Sequence, residues 1–403
     1  MDYVAALKHF DGPRHLYLHI PFCAKLCHYC ICNISITNDR AKIQFFLDHL
    51  LKEIDLLRPF HPQIRDLHFG GGTPSHLDRT QFSQLCASLN KLVPLKSLSE
   101  VAMEIDPRTV KKGDLEHYAS EGVNRISFGV QDFDPDVQLA INRVQPFEMV
   151  EEVLEDRHFF KGVNFDLLYG LPKQTLETVE KTLTQVIQLN PERITLLKYC
   201  HAPELRRHMK LIKEADLPSP DELPVMFVTM TEKLVEAGYQ WVGLDHFCLS
   251  TDSLSKKIGR TFNGFSSGTT EMIGLGPTST GVFGTIYCQN TYDLAEYYNA
   301  VNRGEFPILR GYRMSADDLM RRGVIFSLLC HQRVDLSGYG DYFDRELEIL
   351  SGMPELIRIE RGLVTVTGYG RVLLRNICKV FDVKDTQPEH YRIAQRTITR
   401  RAA

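Results

Sequence analysis

Positions 23–32 read Cys-Ala-Lys-Leu-Cys-His-Tyr-Cys-Ile-Cys, directly after the apolar run Leu16–Ile20. Cys23, Cys27 and Cys30 have the spacing C-x3-C-x2-C, which is short enough for three thiolates to hold one iron–sulfur cluster. Three protein ligands leave one iron of a [4Fe–4S] cluster open to another molecule. The loop therefore predicts a cluster that takes part in a reaction rather than one that only carries electrons.

A structural zinc site is the alternative interpretation of this loop, because zinc sites also use closely spaced cysteines. Such sites usually draw their ligands as two pairs from separated hairpins, and no second C-x2-C or H-x3-H follows here. His28, inside the loop, is expected to pack or to support a ligand rather than to ligate. An assay of iron and acid-labile sulfide distinguishes the two sites.

The composition is that of an ordinary globular protein. The chain has 403 residues, 43% apolar and 24% charged, and a net charge of −4 that gives no indication of a nucleic-acid surface. No run approaches the ~20 apolar residues of a membrane span, and the N-terminus lacks a signal segment. The remaining cysteines are scattered singly, as expected for reduced thiols: Cys86, Cys200, Cys248, Cys288, Cys330 and Cys378. We therefore expect a cytoplasmic protein without a membrane span or a nucleic-acid partner.

Strand-like and helical patterns alternate along the first half of the chain. Branched apolar runs predict six strands, at 16–20, 64–69, 101–105, 124–130, 164–171 and 193–199. Amphipathic stretches between and after them predict helices such as 41–57, 79–92, 175–189 and 221–237. This order predicts an α/β fold, a partial (βα)6 TIM-like barrel whose chemistry lies at the carboxyl ends of its strands.

We expect three parts along the chain. Residues 1–15 form a short N-terminal segment, 16–315 the barrel with its extension, and 316–403 a small helical, winged-helix-like domain. The last part is predicted from helices at 316–330, near 342–350 and at 369–380, with a hairpin at 356–367. Its few basic residues favour covering a substrate over reading DNA.

A second motif is the turn Gly70-Gly71-Gly72-Thr73-Pro74, which follows the second predicted strand. Three glycines let the backbone approach a ligand and expose N–H groups to it. A glycine triplet alone is as often a simple tight turn. Its position after the strand that follows the cysteine loop makes it a candidate binding turn.

The cysteine loop and the glycine turn together resemble the radical S-adenosylmethionine (radical SAM) enzymes. Within them the chain is similar to the oxygen-independent coproporphyrinogen III oxidases of haem biosynthesis. The resemblance extends through the segments 17–23, 104–108, 124–133, 166–175, 215–220, 243–247 and 370–378. The extra Cys32 separates this subfamily from otherwise similar haem-chaperone proteins.

The resemblance implies a role for each matching position. It assigns Cys23, Cys27 and Cys30 to the [4Fe–4S] cluster and leaves Cys32 out. It implies two S-adenosylmethionine molecules, contacted at Tyr17, Tyr29, Gly71, Gly72, Thr73, Glu104, Gln131, Arg143, Asp166, Cys200 and Thr280. Amides, hydroxyls and guanidinium groups bind carboxylates, and carboxylates accept from ribose or ammonium groups. Taken singly, Glu104 and Asp166 are also compatible with capping or ion pairing, and Arg143 with a solvated helix.

The activity that the resemblance implies is the oxidative decarboxylation of two propionates of coproporphyrinogen III, or a related porphyrinogen, to vinyl groups. It also implies an electron donor such as flavodoxin or ferredoxin, and a monomer. Lys198, Cys200, Thr280 and the short N-terminus depart from the family pattern and put the substrate in question. Lys198 is either a cation for an anionic porphyrinogen or an ordinary surface lysine. A radical SAM methyltransferase, a cyclopropane-forming enzyme and a haem chaperone are the alternatives.

Overall fold

Buried apolar runs form the central sheet of the computed structural model, which describes residues 3–9, 12–260, 264 and 271–383. Six consecutive strands follow the predicted positions: β1 Arg14–Ile20, β2 Ile64–Gly71, β3 Glu100–Ile105, β4 Arg125–Gln131, β5 Val163–Tyr169 and β6 Arg193–Lys198. Each strand pairs in parallel with the next. The predicted α/β fold is confirmed, and all six carboxyl ends lie at one edge of the sheet.

Further strands extend this sheet on both sides: β7 Gln240–Gly243, β8 His246–Cys248, β9 Met272–Leu275, β10 Thr280–Phe283, β11 Ile286–Asn290 and β12 Ile308–Arg313. The sheet that the described residues form has twelve strands in the order β12-β11-β10-β9-β1-β2-β3-β4-β5-β6-β8-β7. Strand β9 is parallel to β1, whereas β10 to β12 and β7 to β8 pair antiparallel. The sequence analysis did not predict these six strands.

Helices connect and flank the strands: α1 Tyr3–His9, α2 Arg40–Leu57, α3 Arg79–Leu92, α4 Asp114–Ser120, α5 Pro135–Ala140, α6 Phe147–Leu154, α7 Leu176–Leu189, α8 Glu222–Glu236 and α9 Leu294–Asn302. The side chains of Asp78 and Thr175 cap α3 and α7 through reciprocal bonds with Gln81 and Thr178. These caps fix the start of each helix after its strand. In the part of the chain that is described, no helix has the length and apolar character needed to cross a membrane.

An ionic network joins the amino-terminal ends of three strands. Arg125 and Arg193, the first residues of β4 and β6, both pair with Glu100 at the start of β3 and with Asp252. Burial disfavours the charged form of Glu100, but the two guanidinium groups outweigh it and lower its pKa to about 2. The network therefore stabilises the edge of the sheet opposite the carboxyl ends.

The described residues divide into two compact units, the second of which comprises a short segment from Ile258 and the chain from Met314 onward. The second unit holds α10 Ala316–His331, α11 Asp344–Ser351 and α12 Leu374–Lys379, with β13 Arg333–Asp335, β14 Ile357–Glu360 and β15 Leu363–Val366 in the order β13-β15-β14. Its core includes Leu328, Phe343, Leu350, Val364 and Phe381. The expected domain at 316–403 reaches beyond the described residues after position 383.

The helix predicted at 369–380 is shorter in the structure, since α12 covers only Leu374–Lys379. Gly370 approaches the hairpin so closely that a Cβ atom there would collide with the carbonyl oxygen of Leu356. The hydroxyl of Thr367 accepts from the Gly370 N–H at 2.9 Å. These contacts hold positions 369–373 as turns, so that the helix begins later than its apolar pattern indicates.

Candidate active site

A cavity of about 420 Å³ lies where the carboxyl ends of the parallel strands meet the cysteine loop. Most of the predicted site residues line it: Cys23, Cys27, Tyr29, Cys30, Gly71, Gly72, Thr73, Glu104, Gln131, Arg143, Asp166 and Cys200. They come from the ends of all six strands and from the loops that follow. The structure thus brings together residues as far apart in the chain as Cys23 and Cys200.

The cysteine loop presents its thiols to this cavity at different depths. Cys23 and Cys27 are buried, Cys30 is half-buried and Cys32 is exposed. The Thr73 hydroxyl donates to the Cys23 sulfur at 3.2 Å, which connects the loop with the glycine turn. A hydrogen bond from the Cys32 thiol is the main cause that lowers the pKa of Cys30 to about 7. The donor to Cys30 therefore favours its negative form, whereas burial outweighs the Thr73 hydrogen bond at Cys23 and raises the pKa of that thiol to about 12.

Cys27 lies beside two guanidinium groups that share one carboxylate. Arg108 and Arg143 donate to the Cys27 sulfur at 3.5 and 3.6 Å. Both also pair with Asp106, at 2.7 and 3.3 Å. Burial opposes ionisation of Asp106, but the two arginines outweigh it and hold the pKa of this carboxyl below its usual value. Cys27 is therefore the sulfur of the loop with the strongest positive surroundings.

The glycine turn packs against the end of β1 and against Phe22, which precedes the cysteine loop, with no space for side chains. Gly71 has φ +114°, and a Cβ atom there would lie 2.8 Å from the His19 ring and 2.9 Å from the Ile20 carbonyl oxygen. A Cβ atom on Gly72 would lie 2.8 Å from the Phe22 carbonyl oxygen. This close packing places Thr73 within reach of Cys23.

Acidic side chains lie on the strands of the same cavity. Glu104 pairs with the ring of His68 at 3.0 Å and accepts from the Gly71 N–H at 3.2 Å. Asp166 accepts from Ser127 at 2.8 Å and from Asn164 at 2.9 Å, while burial raises its pKa. Both carboxyl groups are therefore held in place by the sheet.

Arg143 is buried, so it is not the solvated helix residue that the sequence left as an alternative. Besides Asp106 and Cys27, its guanidinium donates to the Gly129 carbonyl oxygen at 2.6 Å. Gln131, at the end of β4, has φ +66° beside an irregularity in the pairing with β5. This local irregularity belongs to the part of β4 that lines the cavity.

Two predicted contact residues are not among those that line the cavity. Tyr17 lies within β1, its hydroxyl 3.3 Å from the His19 ring, and a Cβ atom on Gly70 would touch both Tyr17 and Glu104. Tyr17 therefore packs behind the residues that line the cavity. Thr280 begins β10, where it is exposed and pairs with Gln289. The roles assigned to these residues by the resemblance stay predictions.

The sequence analysis did not select Asp106, Arg108 and Lys25 as site residues, although all three line the cavity. Asp106 and Arg108 directly follow β3, so their position after a predicted strand was the available signal. Cys200, which the resemblance gives as a contact of S-adenosylmethionine, is exposed and lines the cavity next to Lys198 and Tyr199. His28 packs as expected, with its ring 3.3 Å from the Ala140 carbonyl oxygen.

The residues present fit an iron–sulfur cluster and S-adenosylmethionine. Three thiols lie on one wall, and hydroxyl and guanidinium donors point at two of their sulfurs, as expected for sulfur ligands that carry negative charge. The carboxyl groups of Glu104 and Asp166 can accept from ammonium or hydroxyl groups in the same cavity. The cavity thus contains thiols of the kind that hold such a cluster and polar groups of the kind that bind the cofactor, and the roles of the individual residues stay predictions.

Comparisons with known proteins agree with this geometry. The sequence profile of the radical SAM superfamily matches residues 17–186. Oxygen-independent coproporphyrinogen III oxidase of Escherichia coli K12 is 36% identical over 398 residues, which cover 94% of this chain and 87% of that protein. The protein of the same name from Synechocystis is 37% identical over 397 residues, 92% of this chain and 85% of the relative.

A solved structure supports the same assignment at the level of the fold. Coproporphyrinogen III oxidase from Escherichia coli, described as a radical SAM enzyme, superposes with a TM-score of 0.89 at 36% identity and covers 95% of this chain and 93% of its own. A [4Fe–4S] cluster and S-adenosylmethionine follow as cofactors. The chain therefore belongs to the oxygen-independent coproporphyrinogen III oxidase family of radical SAM enzymes.

Proposed function

We propose that this protein decarboxylates two propionate side chains of coproporphyrinogen III to vinyl groups and so forms protoporphyrinogen IX. The observation that carries the proposal is the single cavity that joins the cysteine loop to the glycine turn and to Glu104, Arg143 and Asp166. The identity with relatives of that name extends over most of both chains. We assign the cluster to Cys23, Cys27 and Cys30.

The bound cluster and S-adenosylmethionine would supply hydrogen-atom abstraction from an unactivated carbon, with methionine and 5′-deoxyadenosine as by-products. Each propionate loses one hydrogen atom, carbon dioxide and one electron, and the electron passes to a one-electron acceptor. The protein's residues bind and orient the reactants. Glu104 and Asp166 accept from polar groups of the cofactor, and Thr73, Arg108 and Arg143 hold the ligand sulfurs in position.

The test is an anaerobic incubation of the cluster-loaded protein with S-adenosylmethionine, a strong reductant, an electron acceptor and coproporphyrinogen III. We expect a divinyl product, with two methionine and two 5′-deoxyadenosine molecules per product, because each propionate requires its own hydrogen abstraction. If S-adenosylmethionine is cleaved while coproporphyrinogen III stays unchanged, the proposed substrate is wrong, and the assignment to the radical SAM enzymes stands.

The alternative functions give different products in the same experiment. A methyltransferase or a cyclopropane-forming enzyme would give a product heavier by a carbon unit, and a methyltransferase would also release S-adenosylhomocysteine. A haem chaperone would bind haem and cleave little S-adenosylmethionine. Mass spectrometry of the porphyrin product together with chromatography of the nucleosides separates these outcomes.

The partners and the cellular setting belong to the same proposal. A flavodoxin or a ferredoxin would supply electrons to a monomer in the cytoplasm, without a nucleic-acid partner. The division into residues 1–15, 16–315 and 316–403 is also proposed. Analytical ultracentrifugation tests the monomer, and limited proteolysis tests the boundary near position 315.

A further inference from the structure

We propose that Lys198 binds a carboxylate of the substrate, and that the cavity wall at the end of β6 is the substrate-binding side of the site. This inference rests on the proposed function and names Lys198 as a residue that contributes to recognition of the substrate. Lys198 is the last residue of β6, and it lines the same cavity as the cysteine loop. Lys25, within the cysteine loop, is the other lysine among the residues that line this cavity.

The two arginines of the cavity are already matched. Arg108 and Arg143 both pair with Asp106, and both donate to the Cys27 sulfur. Moving either guanidinium group toward a substrate would leave the buried Asp106 without part of its compensation. Both arginines therefore already bind Asp106 and the cysteine loop. Neither is well placed to bind a carboxylate of the substrate as well.

Lys198 is exposed, and its ammonium group makes no hydrogen bond or ion pair with any residue that the structure describes. Its ammonium group has three donors and a flexible four-carbon stem, which suits an anion that arrives and leaves. Leu197 and Tyr199, its neighbours in the chain, line the cavity beside it. Apolar surface next to an ion pair reduces screening by water and strengthens the attraction.

The charge of the cavity indicates why a cation is needed there. Glu104 and Asp166 line the same space, and coproporphyrinogen III carries four carboxylates. Carboxylates that enter this space repel one another unless a positive group lies between or beside them. Lys198 supplies positive charge at the end of β6, so a polycarboxylate is the ligand class that fits it.

The experiment compares Lys198→Met with Lys198→Arg, and uses Lys91→Met in the last turn of α3 as a control that removes one exposed charge from a residue that does not line the cavity. The probe is coproporphyrin III, the stable oxidised form with four carboxylates, bound to the cluster-loaded protein and followed by fluorescence. We expect Lys198→Met to raise Kd about tenfold, the equivalent of ~1.4 kcal/mol. Lys198→Arg should stay within about threefold of the wild type, because it keeps the positive charge.

Two further readouts separate a substrate contact from a structural effect. In Lys198→Met the iron content and the circular dichroism spectrum should match those of the wild type, and the salt dependence of binding should become weaker. With coproporphyrinogen III as substrate, KM should rise by a factor similar to that of Kd, whereas kcat changes little.

The outcomes distinguish this inference from the proposed function. If the wild type converts coproporphyrinogen III and Lys198→Met binds coproporphyrin III as tightly as Lys91→Met, the role of Lys198 is overturned and the function stands. If Lys198→Met weakens the binding of coproporphyrin III but the wild type does not convert coproporphyrinogen III, the contact between Lys198 and a carboxylate is supported. The proposed decarboxylation is then wrong. Absence of any binding to the wild type overturns the inference.

Discussion

Cys27 differs from its neighbours in the cysteine loop because two guanidinium groups donate to its sulfur while Asp106 balances part of their charge. Cys23 receives a neutral hydroxyl donor from Thr73, and Cys30 faces the thiol of Cys32. Charged donors stabilise a negative sulfur more strongly than neutral ones. The three proposed ligands are therefore chemically unequal before any metal binds.

The ligand assignment is tested by single substitutions in this loop. Cys27→Ala should abolish the brown, oxygen-sensitive chromophore after anaerobic reconstitution, since two thiolates are too few to hold the cluster. Cys32→Ala should retain most of the iron. Iron and acid-labile sulfide are measured per chain, and Cys86→Ala on α3 serves as the control for loss of a buried thiol. A full complement of iron in Cys27→Ala would refute the assignment.

Arg108 should influence the reduction potential of the cluster. A guanidinium that donates to a ligand sulfur favours the more negative, reduced state, so its removal should lower the potential. We expect Arg108→Gln to shift the potential downward by tens of millivolts in an anaerobic redox titration followed by electron paramagnetic resonance. Arg79→Gln, which removes the partner of Asp114 at the surface, should leave the potential unchanged. An upward shift in Arg108→Gln would contradict this explanation.

At the scale of elements, the turn after β2 connects the sheet with the cysteine loop through close backbone packing. Gly71→Ala should reduce stability by more than the ~1–2 kcal/mol expected for a positive φ alone, because its Cβ atom would also collide with His19 and Ile20. Gly238→Ala is the matched control, with φ +92° and no atom within 4 Å of the added Cβ. Urea unfolding of both variants measures the difference, and equal losses would show that the packing contributes nothing.

The sequence predicted the parallel strands well because each is a buried apolar run. Leu16, Leu18 and Ile20 of β1 are all fully buried, and the observed strand starts only two residues before the predicted one. The antiparallel strands β10 to β12 escaped prediction since they are short and half-polar, as in Thr280–Phe283. Their pairing depends on partners distant in the chain rather than on a local pattern.

Only the parts of the site that belong to a sequence motif could be predicted from the sequence. The three thiols and the glycine turn have characteristic spacings, and the structure places them at one cavity. The pairing of Arg108 with Asp106 and Cys27 has no such spacing, because Cys27 lies 81 residues away from Arg108. Contacts between residues so far apart in the chain can be identified only in the folded structure, where the sheet brings the ends of its strands together.

At the scale of the whole molecule, the ionic network around Glu100 should make stability depend on pH. The pKa of Glu100 is about 2 in the folded protein, against an ordinary value of 4.5 that applies to the unfolded chain. A carboxyl group with a lowered folded-state pKa contributes stability above its unfolded pKa and loses that contribution as the pH falls toward the folded value. The contribution of Glu100 is therefore complete at neutral pH and declines from about pH 4.5 toward pH 2.

This dependence is tested with Glu100→Gln, which should lower the free energy of unfolding by about 3 kcal/mol at neutral pH, since it leaves two buried guanidinium groups undercompensated. The difference from the wild type should narrow as the pH falls below about 4.5. Glu177→Gln, which breaks an exposed pair with Lys181, should cause no measurable change at any pH. A difference for Glu100→Gln that is constant with pH would refute the electrostatic origin.

The contacts of Cys27 also set an order of events during synthesis. The ribosome releases the cysteine loop early, while Arg108 and Arg143 follow 81 and 116 residues after Cys27. At ~5–20 residues per second, the nascent loop exists for several seconds without either guanidinium group. A cluster delivered during that interval would meet the thiols without the charged donors that accompany them in the finished fold. The charged surroundings of Cys27 are therefore complete only after β4 and the segment that carries Arg143 have been synthesised.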